Sequence, residues 1–294
     1  MYVITGATGN IGKVLTETLL TKGKKVRVVG RSAERLQPLV EKGAEAFVGL
    51  VTDGAAMTDA FDGAQAAFLM VPPNYAAEDS RAYVNQVGES YVRAIRQTGL
   101  RFIVNLSSVG AQLSNGAGPI SALHDVEQKL NQLPNINILH LRCAFFMENL
   151  FFGMDFIKNQ NINGSTLKGD LLIPMVATHD IARFAAERLL SLDFFGQSTR
   201  ELLGQRDLSM KEATQILGRA IGKNDLPYIQ FSYEQAEQAL RAMGASQDAA
   251  RSLNEMDRAL NEGRVRALEQ RTAANTTPTS FEQFAQIFAA VYRS

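Results

Sequence analysis

The chain is predicted to be an α/β protein with a doubly wound parallel sheet and a smaller helix-rich region toward its C-terminus. Three observations carry this. Short apolar runs alternate with amphipathic helical stretches through the first half. A turn with glycines at positions 6, 9 and 12 joins the first apolar run to the first helical one. Beyond residue 206 the alternation stops and helical patterns dominate.

Residues 2–5 form a buried strand and are followed by a helix that keeps Ile11, Leu15, Leu19 and Leu20 on one face. "KKVRVVGR" (24–31) is the second strand, and "SAERLQPLVEKG" (32–43) a helix capped by Ser32. A third strand spans 44–50. The helix at 54–63 ends on Gly63, and the fourth strand at 64–71 is stopped by Pro72 and Pro73. A long amphipathic helix (81–99), a fifth strand (101–108), a helix (120–133) and a sixth strand (136–143) complete this half. The next strand is at 171–177, a helix with Asp180 in its first turn at 178–191, and an edge strand at 199–205. Helices follow at 209–222, 232–244, 246–263 and 280–293, with a loop by composition at 271–280. The predicted organisation is a core of residues 1–153, with 171–205 returning to its sheet. Residues 154–170 and 206–294 make the smaller region.

Composition narrows the function classes. Of 294 residues, 46% are hydrophobic and 20% charged, enough for a large core. Thirty basic and thirty acidic residues give zero net charge, which argues against direct nucleic-acid binding. No apolar stretch reaches the roughly 18 residues of a membrane span, and the chain enters its first strand without a leader-like segment. One cysteine, Cys143, cannot form an internal disulfide, so a cytoplasmic location is expected. His124, His140, Cys143 and His179 lack metal-site spacing, and no metal is predicted.

The glycines define a dinucleotide loop of the Rossmann type. Gly6 permits the tight turn, Gly9 lets backbone N–H groups approach a pyrophosphate, and Gly12 lets the helix pack on the strand. The helix N-terminus adds free donors and partial positive charge, Thr8 and Asn10 offer side-chain donors, and Ile11 lies in the same turn. About 20 residues on, where an acid would bond the ribose hydroxyls of NAD, the chain has Gly30-Arg31-Ser32. No Asp or Glu lies between Glu17 and Glu34. Arg31 suits a 2′-phosphate, so NADP(H) is the expected cofactor.

These segments resemble the NmrA-like group of atypical short-chain dehydrogenases. "TGATGNIG" (5–12) and "VVGRSAERL" (28–36) match its nucleotide loop and second-strand end. "LRCAFFMENL" (141–150), "PMVATHDIARFAA" (174–186) and "TPTSFEQFAQ" (277–286) are similar to its later motifs, with Cys143 where proline is usual. The resemblance implies either an NAD(P)H-dependent quinone, azo-dye or triphenylmethane-dye reductase, or a catalytically silent regulator that binds the dinucleotide and a protein partner. The Tyr-x-x-x-Lys pair of ordinary short-chain dehydrogenases is missing. Six tyrosines are followed four residues later by Gly, Asp, Val, Ile, Ser and Glu, and Tyr292 is too near the end. That absence points away from ketones, whose alkoxide needs a proton donor, and toward a quinone-like or dye-like aromatic acceptor.

Further candidates follow from position. His124 is either a proton donor or a helix residue near the site's mouth, and Lys129 a solvated charge. Ser107 and Ser108 end the fifth strand, where they contact the nicotinamide ribose or shape a turn. Val71, Pro72 and Pro73 border the adenosine side. Cys143 is a packing residue rather than a nucleophile, while Ala144, Phe145 and Phe146 wall the nicotinamide pocket or pack in the core. Phe151, Phe152 and Phe156 either build an acceptor pocket or belong to the core. His140 and His179 read as structural. The sequence sets no oligomeric state.

Overall fold

The computed structural model describes residues 1–294. Its centre is a parallel sheet of seven strands. Six alternate with helices: β1 (Tyr2–Ile4), α1 (Asn10–Thr21), β2 (Val26–Gly30), α2 (Ala33–Val40), β3 (Glu45–Val48), α3 (Gly54–Phe61), β4 (Ala66–Leu69), α4 (Ser80–Thr98), β5 (Phe102–Ser108), α5 (Pro119–Asn131) and β6 (Asn137–Cys143). The chain continues through β7 (Phe145–Phe146), a 3₁₀ stretch (Met147–Gly153), α6 (Met154–Gln160), β8 (Asn163–Ser165), β9 (Ile173–Val176) and α7 (Thr178–Ser191) to β10 (Gln197–Leu202). The seventh strand is β10, and the spatial order is β10-β6-β5-β4-β1-β2-β3. The order reverses between β1 and β4, and a doubly wound sheet binds its ligands at such a point.

Strand periodicity sorts the core into two layers. Tyr2 and Ile4 face one side of the sheet with Ala66 and Phe68, and pack against Leu15 and Leu19 of α1 and Ile181 and Leu189 of α7. Val3, Ala67 and Leu69 face the other side, against Phe61 of α3, Tyr91 of α4 and Val126 of α5. Burial on both faces is why these strands are continuous apolar runs rather than alternating ones. The edge strand β3 differs, with Val48 exposed.

The smaller region contains β11 (Asp207–Leu208), α8 (Met210–Ala220), β12 (Tyr228–Gln230), α9 (Tyr233–Ala242), α10 (Gln247–Asn261) and α11 (Phe281–Arg293). Of the stretch 171–205 expected to return to the large sheet, β10 joins it and α7 packs on its face, but β9 does not. Strand β9 instead pairs antiparallel with β11 and parallel with β7. The reason is occupancy, since β10 fills the position beside β6 through six register pairs. The region has its own core, in which Phe281, Phe284 and Phe288 of α11 meet Leu150, Ile157 and Leu217.

Two carboxylates lock the region to the sheet. Glu148 accepts hydrogen bonds from the N–H (3.0 Å) and hydroxyl (2.6 Å) of Thr178, capping α7, which has no side-chain cap of its own. Asp180 accepts from the N–H (3.0 Å) and hydroxyl (2.9 Å) of Thr279, just before α11. Three segments distant in sequence, around 148, 178–180 and 279, are thereby joined.

Candidate active site

The glycine loop closes onto the end of β4. The buried Thr5 hydroxyl donates to the Phe68 carbonyl (3.2 Å) and accepts from the Met70 N–H (2.9 Å). Gly6 follows with φ +62°, and a Cβ there would lie 2.4 Å from Met70 Sδ. A Cβ at Gly12 would lie 2.3 Å from the Gly6 carbonyl oxygen, so α1 rests directly on the loop backbone. Gly9 is different. Its φ of −83° suits any residue, and a Cβ would approach nothing closer than 3.4 Å. The protein's own packing does not require glycine at 9, and the space above it lies open.

Gly9 is also the N-cap of α1. No side chain caps this helix, no acid occupies its first turn, and the N–H groups of Asn10, Ile11 and Gly12 find no carbonyl. Uncapped donors at an exposed helix start form an anion site. Thr8 and Asn10 flank it at the surface. Arg31, at the end of β2, is exposed and makes no hydrogen bond or ion pair. It lies close enough to Tyr83 for its charge to oppose the rise that burial imposes on that phenol. A phosphate-bearing dinucleotide fits these residues: open space at Gly9, unsatisfied donors and an unpartnered cation.

Beside the loop, above the ends of β4, β5 and β6, is a cavity of about 660 Å³. Met70, which presses on Gly6, forms part of its wall, as do Val71, Ser107, Cys143, Ala144 and Phe145. Pro72 is not at the wall, whereas Pro73 is. Leu171–Pro174, α10 and a strap of residues 263–271 close the far side. The wall contains no Tyr, Lys or His.

Several sequence-derived candidates take other places. His124 does not reach the cavity, and its Nδ1 is bonded to the Ala111 carbonyl (2.8 Å). Lys129 pairs with Glu89 (3.0 Å) at the surface. Phe151 stacks on Phe288 at 5.4 Å, Phe156 packs on Phe231, and Phe152 is exposed, so these rings do not line the cavity. Cys143 does line it, but burial pushes its thiol far above the usual range and leaves it protonated. His179 bonds Thr279 Oγ1 (2.8 Å). No cluster of His, Cys, Asp and Glu could hold a metal.

Sequence reasoning missed one feature of the site. Ser107 donates to Glu127 Oε1 at 2.6 Å, and Arg142 grips the same carboxylate through Nε (3.0 Å) and Nη2 (2.6 Å). Glu127 is 1% exposed. This pair raises the Arg142 pKa and fixes Ser107 at the cavity wall. Its signal was legible: Glu127 falls on the apolar face of α5 with Ile120 and Leu130, where a lone carboxylate needs a partner.

The model of the NmrA-like family matches residues 2–285, and the chain belongs to that family. It is 26% identical over 302 residues to the uncharacterized oxidoreductase YesF of Bacillus subtilis, covering 99% of this chain and 96% of that protein. Among the solved structures that share its fold are two reductases. One is the NADPH-dependent quinone oxidoreductase of Escherichia coli in complex with NADPH (TM-score 0.79, 21% identity, 98% of this chain and 99% of that one). The other is the triphenylmethane reductase of Citrobacter sp. in complex with NADP(H) (TM-score 0.79, 21% identity, 98% and 100%).

Proposed function

We propose that the protein is an NADPH-dependent reductase of a flat, quinone-like or dye-like aromatic acceptor. The observation that carries this reading is a roomy, largely apolar cavity beside the dinucleotide loop whose wall offers no Tyr, Lys or His. Bound NADPH supplies the hydride. The first-turn amides of α1 hold its pyrophosphate, and Arg31 pairs with its 2′-phosphate. Ser107, held by Glu127, faces the nicotinamide ribose, while Cys143, Ala144 and Phe145 wall the nicotinamide and exclude water. The protein positions the acceptor without a Tyr, Lys or His as proton donor, and the two carboxylates at the wall, Asp207 and Glu269, are ion-paired with Arg271 and Arg200. A quinone tolerates that because its reduced form is a weakly basic phenolate that water can protonate, whereas a ketone does not.

The reading is tested on one sample by titrating NADPH binding and following absorbance at 340 nm with a panel of quinones, azo dyes and triphenylmethane dyes. Tight binding with acceptor-dependent oxidation supports a reductase. Tight binding without turnover on any acceptor overturns it in favour of the redox-sensing regulator, and a protein partner would then be sought.

A further inference from the structure

Charge in the cavity is unevenly satisfied. Four charged side chains reach its wall, all at the end formed by β11 and the strap: Asp207, Arg266, Glu269 and Arg271. Arg271 is fully engaged, pairing with Asp207 and donating to the carbonyls of Leu203 (3.1 Å) and Gly204. Glu269 accepts from the Glu201 N–H (3.2 Å) and Asn275 Nδ2 (3.1 Å), and Arg200 stands 3.6 Å from it. Both acids therefore have their own cation. Arg266 has neither an ion pair nor a hydrogen bond to any protein group.

The backbone that carries Arg266 is nevertheless fixed on both sides. Val265 is buried with Ala111, Ile120 and Ala259. The N–H groups of Leu268 and Glu269 donate to the Glu201 carboxylate at 2.9 and 2.8 Å. The strap thus holds one solvent-exposed guanidinium without a protein partner at the wall of a chamber whose other charged side chains are paired. A guanidinium presents a planar fork of donors that matches a carboxylate or sulfonate.

We propose that the acceptor carries an anionic group, an aryl carboxylate or sulfonate, and that Arg266 selects for it. This rests on the reading that the cavity receives the acceptor. It distinguishes anionic acceptors from neutral quinones and from cationic dyes, which the same guanidinium repels.

Binding of non-reducible probes tests the inference independently of turnover. Naphthalene-2-sulfonate and 2-naphthol are titrated by calorimetry into the NADP⁺-loaded protein, for the native chain and for Arg266→Gln and Arg266→Lys. The native protein is expected to bind the sulfonate about tenfold more tightly than the naphthol, the effect of one favourable charge pair. Arg266→Gln should abolish that preference, and Arg266→Lys should retain part of it, each with NADP⁺ affinity as in the native chain. Equal affinity for the two probes, or a preference that survives Arg266→Gln, overturns the proposal. So does a matching loss of NADP⁺ affinity, which would assign Arg266 to the dinucleotide. A sulfonate preference that depends on Arg266 supports the inference even if no acceptor is reduced, and in that case only the reductase reading fails.

Discussion

Gly9 and Gly12 are three residues apart and look equivalent in the sequence, yet the backbone needs only one of them. Alanine at 12 would drive its Cβ into the Gly6 carbonyl, so Gly12→Ala should lower the melting temperature and impair NADPH binding together. Alanine at 9 meets no close neighbour. Gly9→Ala should cost well under about 1 kcal/mol of stability, the difference between Gly and Ala at an N-cap, while weakening NADPH binding at least tenfold. Thermal melts and titrations on both variants check this, and parallel losses in the two would refute the distinction. Arg31→Asp should weaken NADPH far more than NADH, and equal effects would remove Arg31 from 2′-phosphate recognition. The placement of the glycine turn and of Arg31 was readable from sequence because it is local: a turn, a helix start, the end of one strand. The Ser107–Glu127–Arg142 cluster and the unpaired Arg266 were harder to read, because each is defined by what another segment brings to it. The sequence left His124 open between a proton donor and a helix residue near the site's mouth for the same reason, since nothing local announces its bond to the Ala111 carbonyl.

At the scale of elements, one buried and one half-buried titratable group give opposite pH dependences. His140 on β6 is locked between Asn105 of β5 and Asn131 at the end of α5. Its partners fix the tautomer, with Nδ1 accepting from Asn105 Nδ2 and Nε2–H donating to Asn131 Oδ1. Burial lowers its pKa from 6.5 to about 4. Below pH 6.5 the unfolded chain takes up a proton that the folded chain refuses, so this contribution to stability is lost between pH 6.5 and about 4. The slope is at most about 1.4 kcal/mol per pH unit. Urea unfolding of the native chain and His140→Gln across that range should show the native chain's advantage shrinking as pH falls. Asp257 on α10 runs the other way. It accepts from the Thr166 hydroxyl beside β8, and burial raises its pKa to about 6. The folded state then binds the proton more tightly than the unfolded one, and stability falls as pH rises from 3.8 to about 6. Asp257→Asn should therefore be more stable than the native chain at pH 7.5, by roughly 1–3 kcal/mol, with no gain below pH 3.8. A destabilised Asn variant at pH 7.5 would show that the carboxylate is needed as a charge.

For the whole molecule, the alternation of apolar runs and amphipathic helices was enough to predict the parallel sheet and the helix-rich addition. The destination of β9 was not legible, because pairing depends on which edge is free. That edge is taken by β10, which arrives later in the chain. The consequence is functional. With β9, β7 and β11 forming a separate small sheet, Leu171–Pro174 and the 263–271 strap stand opposite the ends of β4 to β6 and enclose the cavity between them. Of the two readings open for Phe151, acceptor pocket or core, the core one holds: the ring packs on Phe284 and Phe288 and holds this second layer together from behind. The cavity's walls come from the sheet ends and the strap.

The central claim is that hydride leaves NADPH for an acceptor held in this cavity. Its most direct test is the rate of NADPH oxidation at 340 nm with a quinone, measured on the purified protein with NADPH and with each C4-deuterated epimer. The account predicts oxidation that requires both protein and quinone, and that slows with one epimer only. Bound NADPH whose absorbance stays constant with every acceptor, or oxidation indifferent to deuterium in single turnovers, would contradict it.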